Sequence, residues 1–145
     1  MRTKSLLFCL GAIFTVSVFA VRGAETEKHN LPKDINKLPP AADRKDVTYA
    51  SDIKSIFDQY CVKCHGPEKP KKRLRLDNLE GALKGGKSGK AIEPGNSAES
   101  SLVHKVGRLG DPEDFMPPPN NKAKIPPLTR DQVALVRAWI DQGAK

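Results

Sequence analysis

The stretch Cys61-Val62-Lys63-Cys64-His65 determines how the rest of the chain is interpreted. Two cysteines three positions apart lie on one turn of a helix, and a histidine follows at once. This spacing is the one that attaches a c-type haem, whose two vinyl groups form thioethers with the two thiols. The adjacent histidine then becomes the proximal ligand of the iron. We therefore predict one covalent haem c per chain, bound by Cys61, Cys64 and His65.

Three other interpretations of the cysteine pair are less consistent with the sequence. A structural zinc site uses four Cys or His ligands, and the sequence has no second close pair. A redox-active disulfide of the thioredoxin type follows a strand, whereas a helical pattern precedes Cys61. A structural disulfide between Cys61 and Cys64 suits an exported protein but leaves His65 without a role.

Length and composition indicate one domain that is short of apolar core. The chain has 145 residues, of which 38% are hydrophobic and 6% aromatic. Its 25 Lys and Arg residues exceed its 17 Asp and Glu residues, giving a formal charge of +8. This composition excludes a disordered acidic chain and a multi-span membrane protein. The few aromatic side chains cannot fill the centre of the domain, and a haem would supply the missing apolar core.

The first 24 residues have the features of a secretory signal peptide. A basic start precedes an uncharged run over residues 5–21, and Val18-Phe19-Ala20 offers small residues at cleavage positions. We expect cleavage after Ala20 or Ala24, which removes the third cysteine and leaves a periplasmic protein without a membrane span. An uncleaved membrane anchor is the alternative, but the run is shorter than the roughly 20 residues that a spanning helix needs.

The remaining chain divides into a polar segment and an all-α domain. Residues 25–46 contain three prolines and no apolar periodicity, so we expect a linker or an arm on the surface. Residues 47–145 contain three helical patterns and no run of alternating strands. The apolar stripes of these helices are Ile53, Ile56, Phe57 and Tyr60; Leu102, Val103 and Val106; and Val133, Leu135, Val136, Trp139 and Ile140.

Capping residues and breakers set the expected helix boundaries. Thr129 and Gln132 have the spacing of a capping box, and Gly143 is placed to end the last helix. Residues 66–95 are predicted to be mostly loop, and the proline-rich residues 112–128 a stiff, extended connection. The other expected N-caps are Ser51 and either Asn96 or Ser97, and the other expected stops are Gly66 and either Gly107 or Gly110.

Met116 is the expected second axial ligand. It is the only methionine after the initiator, and the following Pro117-Pro118-Pro119 restricts the loop that presents its thioether. A thioether ligand raises the reduction potential relative to two histidines. Packing in the core is the other explanation for Met116. His104 is the rival ligand, but we expect it to be exposed as the polar residue of its helix, and we expect His29 to be solvated.

Basic residues beside the cysteine motif predict a surface for a redox partner. They would steer an acidic periplasmic redox protein toward the haem edge, although a solvated loop explains them equally well. We expect no nucleic-acid binding, because the protein is exported and carries no binding motif. Arg75 lies between two leucines and is a candidate for pairing with a haem propionate. The basic docking group comprises Lys63, Lys69, Lys71, Lys72 and Arg73.

Several motifs together resemble the planctomycete-type cytochrome c domain over roughly residues 48–144. The resemblance implies a monohaem class I-like fold, with an N-terminal and a C-terminal helix crossing beside the haem. It also implies His65 and Met116 as axial ligands. In that family the domain often leads a longer chain, and this sequence resembles the cytochrome module alone. The matching stretches are residues 61–66, 73–77, 85–89, 94–96, 116–118 and 128–144.

We therefore expect a small all-α, cytochrome c-like fold of three or more helices around one covalent haem, with long loops. The expected function is that of an electron carrier between periplasmic redox proteins, and not of an enzyme. Two other functions remain open. A haem sensor or ligand-binding module would need an open or displaceable sixth position on the iron, and an electron-entry subunit would belong to a larger oxidoreductase.

Overall fold

The computed structural model describes residues 34–145, and this part of the chain is helical without a β-strand. The all-α prediction is therefore confirmed for these residues. The predictions for the signal peptide and for His29 lie outside them. The helices are α1 (Lys54–Tyr60), α2 (Val62–His65), α3 (Leu79–Lys84), α4 (Ser101–Val106) and α5 (Arg130–Asp141). Within residues 34–145, no helix is long and apolar enough to span a membrane.

The first helical segment begins earlier than the sequence predicts. A π-helical turn, Tyr49–Ile53, leads directly into α1. Its N-cap is Thr48, whose hydroxyl accepts a hydrogen bond from the backbone N–H of Ser51 at 3.2 Å. The prediction of Ser51 as N-cap is wrong, because the wider turn moves the unpaired N–H groups one turn upstream.

The predicted capping of α5 is confirmed. The Thr129 hydroxyl accepts from the Gln132 backbone N–H at 3.2 Å, and the Gln132 side chain accepts from the Thr129 N–H at 2.9 Å. Gly143 follows the helix with φ of +96°, a conformation that glycine adopts without steric cost. Asn96 caps the 3₁₀ turn Ser97–Glu99, which precedes α4 rather than being part of it.

Helix α3 lies in a region that the sequence predicts to be mostly loop. Its N-cap is Asn78, whose side chain accepts from the Gly81 N–H at 2.7 Å. The helix has six residues, and only Ala82 is fully buried. So short a helix cannot show two turns of apolar periodicity, which explains why the pattern did not reveal it.

Helices α1 and α5 meet through aromatic side chains. Phe57 and Trp139 pack edge to face with ring centroids 5.9 Å apart, and Tyr49 lies 6.0 Å from each. The indole N–H of Trp139 donates to the Lys145 carbonyl at 2.9 Å, so the buried ring keeps a hydrogen bond. This contact fixes the end of α1, from which the cysteine motif continues directly.

The segment before Val47 packs against the helices. Leu38 is only 5% exposed, and a Cβ on Gly107 would come within 2.1 Å of its side chain. The Ala42 N–H donates to the Ala134 carbonyl at 2.9 Å, and Arg137 donates to the carbonyl of Pro39. Residues 38–42 therefore lie on α5 and on the end of α4.

Replacing Leu38 with alanine tests whether this packing stabilises the domain. We expect a loss of about 2–5 kcal/mol, the usual range for a buried leucine that leaves a cavity. Lys37→Ala is the matched control, because its side chain is 70% exposed and its ion pair with Asp34 is on the surface. Chemical denaturation of the haem-loaded protein measures both effects. Equal stabilities for Leu38→Ala and Lys37→Ala would show that the segment contributes nothing.

Candidate functional site

One open cavity of about 300 Å³ lies between the cysteine motif and the second half of the chain. Its walls come from α2, the segment containing Leu74 and Leu76, the loop 86–91, α4 and the proline-rich connection. Apolar side chains from all of these except α2 contribute to the lining, Leu102 and Leu128 among them. The cavity therefore has the character of a site for a largely apolar ligand.

Cys61 and Cys64 both line this cavity. Cys61 occupies the junction between α1 and α2, where its N–H donates to the Phe57 carbonyl and its own carbonyl accepts from the His65 N–H at 2.9 Å. The two residues are free thiols. Both cysteines thus face the same cavity, Cys64 from α2 and Cys61 from the residue before it.

The electrostatics of Cys61 argue against the alternative chemistries. Burial, and then the neighbouring Cys64, raise the pKa of the Cys61 thiol to about 12. A catalytic redox cysteine instead needs a lowered pKa, so that it is a thiolate at neutral pH. Among residues 34–145, no three His, Cys, Asp or Glu side chains cluster in a way that could hold a metal ion. Neither a thioredoxin-type site nor a structural zinc site is supported.

His65 is oriented by the segment that follows it. Its Nδ1 lies 3.1 Å from the Leu74 carbonyl, and because a carbonyl only accepts, Nδ1 carries the hydrogen. The His65 carbonyl in turn accepts from the Leu76 N–H at 2.8 Å. Burial lowers the pKa of the imidazole, which favours its neutral form. A neutral ring with Nδ1 protonated keeps the Nε2 lone pair for a metal, as a histidine ligand requires.

Met116 lines the same cavity as His65, although the two residues are far apart in sequence. Its N–H donates to the Lys105 carbonyl at 3.0 Å, which ties the methionine to α4. Pro117 and Pro118 also contribute to the lining. The structure thus brings the two predicted axial ligands to one site.

Arg75 takes a different position. It does not line the cavity, and its guanidinium forms two hydrogen bonds to the Asp77 carboxylate, at 2.9 and 2.6 Å. The hydrogen bonds from Arg75 lower the pKa of Asp77 to about 2. The structure therefore gives Arg75 a carboxylate partner from the protein itself.

His104 is buried, and the prediction that it is exposed is wrong. Its side chain belongs to a residue only 3% exposed, and its Nε2 donates to the Ala98 carbonyl at 2.6 Å. Helix α4 packs on α5 and on the 3₁₀ turn Ser97–Glu99, so most of the surface of α4 is covered. His104 is absent from the cavity lining, unlike its neighbours Lys105 and Val106.

The loop 86–91 is the part of the lining that the sequence interpretation missed. Residues 85–89 are part of the resemblance to the family, but the sequence analysis gave them no role at the site. Gly86 and Gly89 exchange backbone hydrogen bonds at 2.9 and 3.1 Å, forming a tight turn beside the cavity. The clustering of glycines indicated a turn, but its place at the site depends on contacts with residues 72–74.

A comparison with family models identifies the segment that builds this site. The model described as Planctomycete cytochrome C matches residues 61–120. This segment matches the planctomycete cytochrome c family. The match begins at Cys61 and includes His65 and Met116, so the resemblance is confirmed over this part of the chain. Searches of curated proteins and of solved structures gave no significant match.

The family match indicates a haem-binding c-type cytochrome domain. The residues present fit a covalent haem. Two free thiols, one on α2 and one at the residue before it, and a histidine with a fixed tautomer line a largely apolar cavity. These are the groups that attach haem c and bind its iron on one side.

Proposed function

We propose that the protein is an exported monohaem c-type cytochrome that carries single electrons between periplasmic redox partners. The observation that supports it most is that Cys61, Cys64, His65 and Met116 line one cavity. Thioethers to both cysteines hold the cofactor, and His65 and Met116 are the axial ligands of its iron. The bound haem supplies the one-electron couple between Fe(III) and Fe(II).

The protein's own residues prepare the site for this role. The Leu74 carbonyl holds His65 with Nε2 available, and hydrogen bonding of this kind increases the basicity of a histidine ligand. The hydrogen bond to Lys105 restricts the backbone of Met116. The apolar walls limit water at the iron, and burial is one of the factors that set a haem potential.

The basic docking group is placed to meet an acidic redox partner. Lys63, Lys69, Lys71, Lys72 and Arg73 are all exposed, and none takes part in an ion pair among residues 34–145. Unpaired surface cations of one sign raise association rates with an oppositely charged partner. They adjoin α2, so a docked partner would lie beside the haem.

Purification from an exporting host that has haem-attachment machinery tests the proposed function. We expect haem that stays on the protein in a denaturing gel, because thioethers survive denaturation. The reduced protein should show a sharp α-band, and the oxidised protein a band characteristic of sulfur ligation. Protein that folds in this host without covalent haem would refute the proposal.

A further inference from the structure

Among residues 34–145, three lysines on the cavity wall form no ion pair with a carboxylate. The lining contains Lys72, Lys87, Lys90 and Lys105, but Asp114 is its only carboxylate. Lys105 uses that carboxylate, with Nζ at 2.7 Å from Oδ1. No ion pair among residues 34–145 involves the other three lysines. The wall therefore carries uncompensated positive charge, which stabilises an anion placed in the cavity.

Backbone contacts hold these lysines together. The Lys87 N–H donates to the Lys72 carbonyl at 2.7 Å, and Lys90 follows the Gly86–Gly89 turn. A Cβ on Gly86 would lie 2.5 Å from the Lys72 carbonyl oxygen, so only glycine permits this approach. Lys72 itself has φ of +52°, a conformation that is strained for a residue other than glycine. The two segments are thus joined closely on one side of the cavity.

The chemistry of haem c requires a second kind of contact on the cavity wall. Its vinyl groups and its two propionates occupy different parts of the porphyrin edge. With the vinyl groups bonded to Cys61 and Cys64, the propionates must face a wall other than α2. The remaining walls are α4, the proline-rich connection, the segment containing Leu74 and Leu76, and the loop 86–91 with Lys72. Among residues 34–145, the cations on these walls that form no ion pair are Lys72, Lys87 and Lys90, all at the loop with Lys72.

We propose that Lys72, Lys87 and Lys90 bind the two haem propionates. Ammonium-to-carboxylate hydrogen bonds are among the strong ones in proteins, and the Ser88 hydroxyl on the same wall is a further donor. The sequence suggested Arg75 as the partner of a propionate, but in the structure Arg75 donates hydrogen bonds to Asp77. The present assignment gives that role to the three lysines. It rests on the proposed function, because it requires a haem in the cavity.

Resonance Raman spectroscopy of the haem-loaded protein tests this proposal directly, because propionate bending bands respond to hydrogen bonding of the carboxylates. We expect these bands to shift in Lys72→Gln/Lys87→Gln/Lys90→Gln, and the corresponding Arg variants to restore them in large part. The double variant Lys87→Gln/Lys90→Gln serves if the triple variant loads haem poorly. The matched control removes three exposed lysines outside the cavity lining, Lys63, Lys69 and Lys71.

The outcomes separate this proposal from the proposed function. Bands that shift in the cavity variants and stay unchanged in the control support propionate binding. Unchanged bands in a fully loaded cavity variant overturn it, while covalent haem in that same sample leaves the cytochrome assignment intact. Binding of polyglutamate to each holoprotein identifies the alternative. Weaker polyglutamate binding by the cavity variants with unchanged bands would instead add Lys87 and Lys90 to the basic docking group that already contains Lys72.

Discussion

Replacing both Cys61 and Cys64 with alanine is expected to abolish haem on a denaturing gel. Under the proposed function, thioethers to these two cysteines hold the porphyrin covalently, so no stain should remain at the position of the polypeptide. We also expect the haem-free protein to lose most of its cooperative unfolding transition. The site is a cavity lined from several separate segments, and a small domain with an unfilled centre has little stability left.

The single variants sharpen this expectation. Cys61→Ala and Cys64→Ala each retain one of the two thiols, so each should keep a single thioether and a weaker haem stain. Val62→Ala is the matched control, because it changes a residue inside the motif that does not line the cavity. Full staining of the double variant would contradict covalent attachment at this motif. Circular dichroism during thermal unfolding reports the stability of each variant.

Local sequence patterns predicted the features that are determined by residues close to one another in the sequence. The capping box of Thr129 and Gln132 needs only the first turn of its own helix, and Gly143 needs only its own backbone angle. The cysteine motif is similar, because the spacing of Cys61, Cys64 and His65 on one helix sets their relation. For these features the physical cause lies within a few residues.

The features that the sequence did not reveal depend on distant contacts. His104 is buried because α4 is enclosed by α5 and the turn before it, and no local pattern in so short a helix shows that. Leu38 packs on Gly107, a residue far along the chain. The prediction that Arg75 pairs with a propionate rests on its position between two leucines. That position does not reveal the pairing of Arg75 with Asp77, two residues away.

Replacing Met116 with alanine is expected to change the iron more than the fold. Loss of the thioether should remove the band of sulfur ligation from the oxidised spectrum. The reduction potential should fall by tenths of a volt, because axial ligands set haem potentials over a range of about 0.8 V. The vacated position should bind added imidazole or carbon monoxide. Redox titration with optical detection measures the potential and the spectrum together.

The matched control for Met116→Ala changes His104, which the sequence analysis named as the rival axial ligand. His104→Gln keeps a donor for the Ala98 carbonyl and removes the imidazole. Its spectrum and potential should equal those of the unmodified protein, because His104 does not line the cavity. A spectral change in His104→Gln would contradict methionine ligation. An unchanged oxidised spectrum in Met116→Ala would instead favour a haem with an open sixth position, as in a sensor or ligand-binding module.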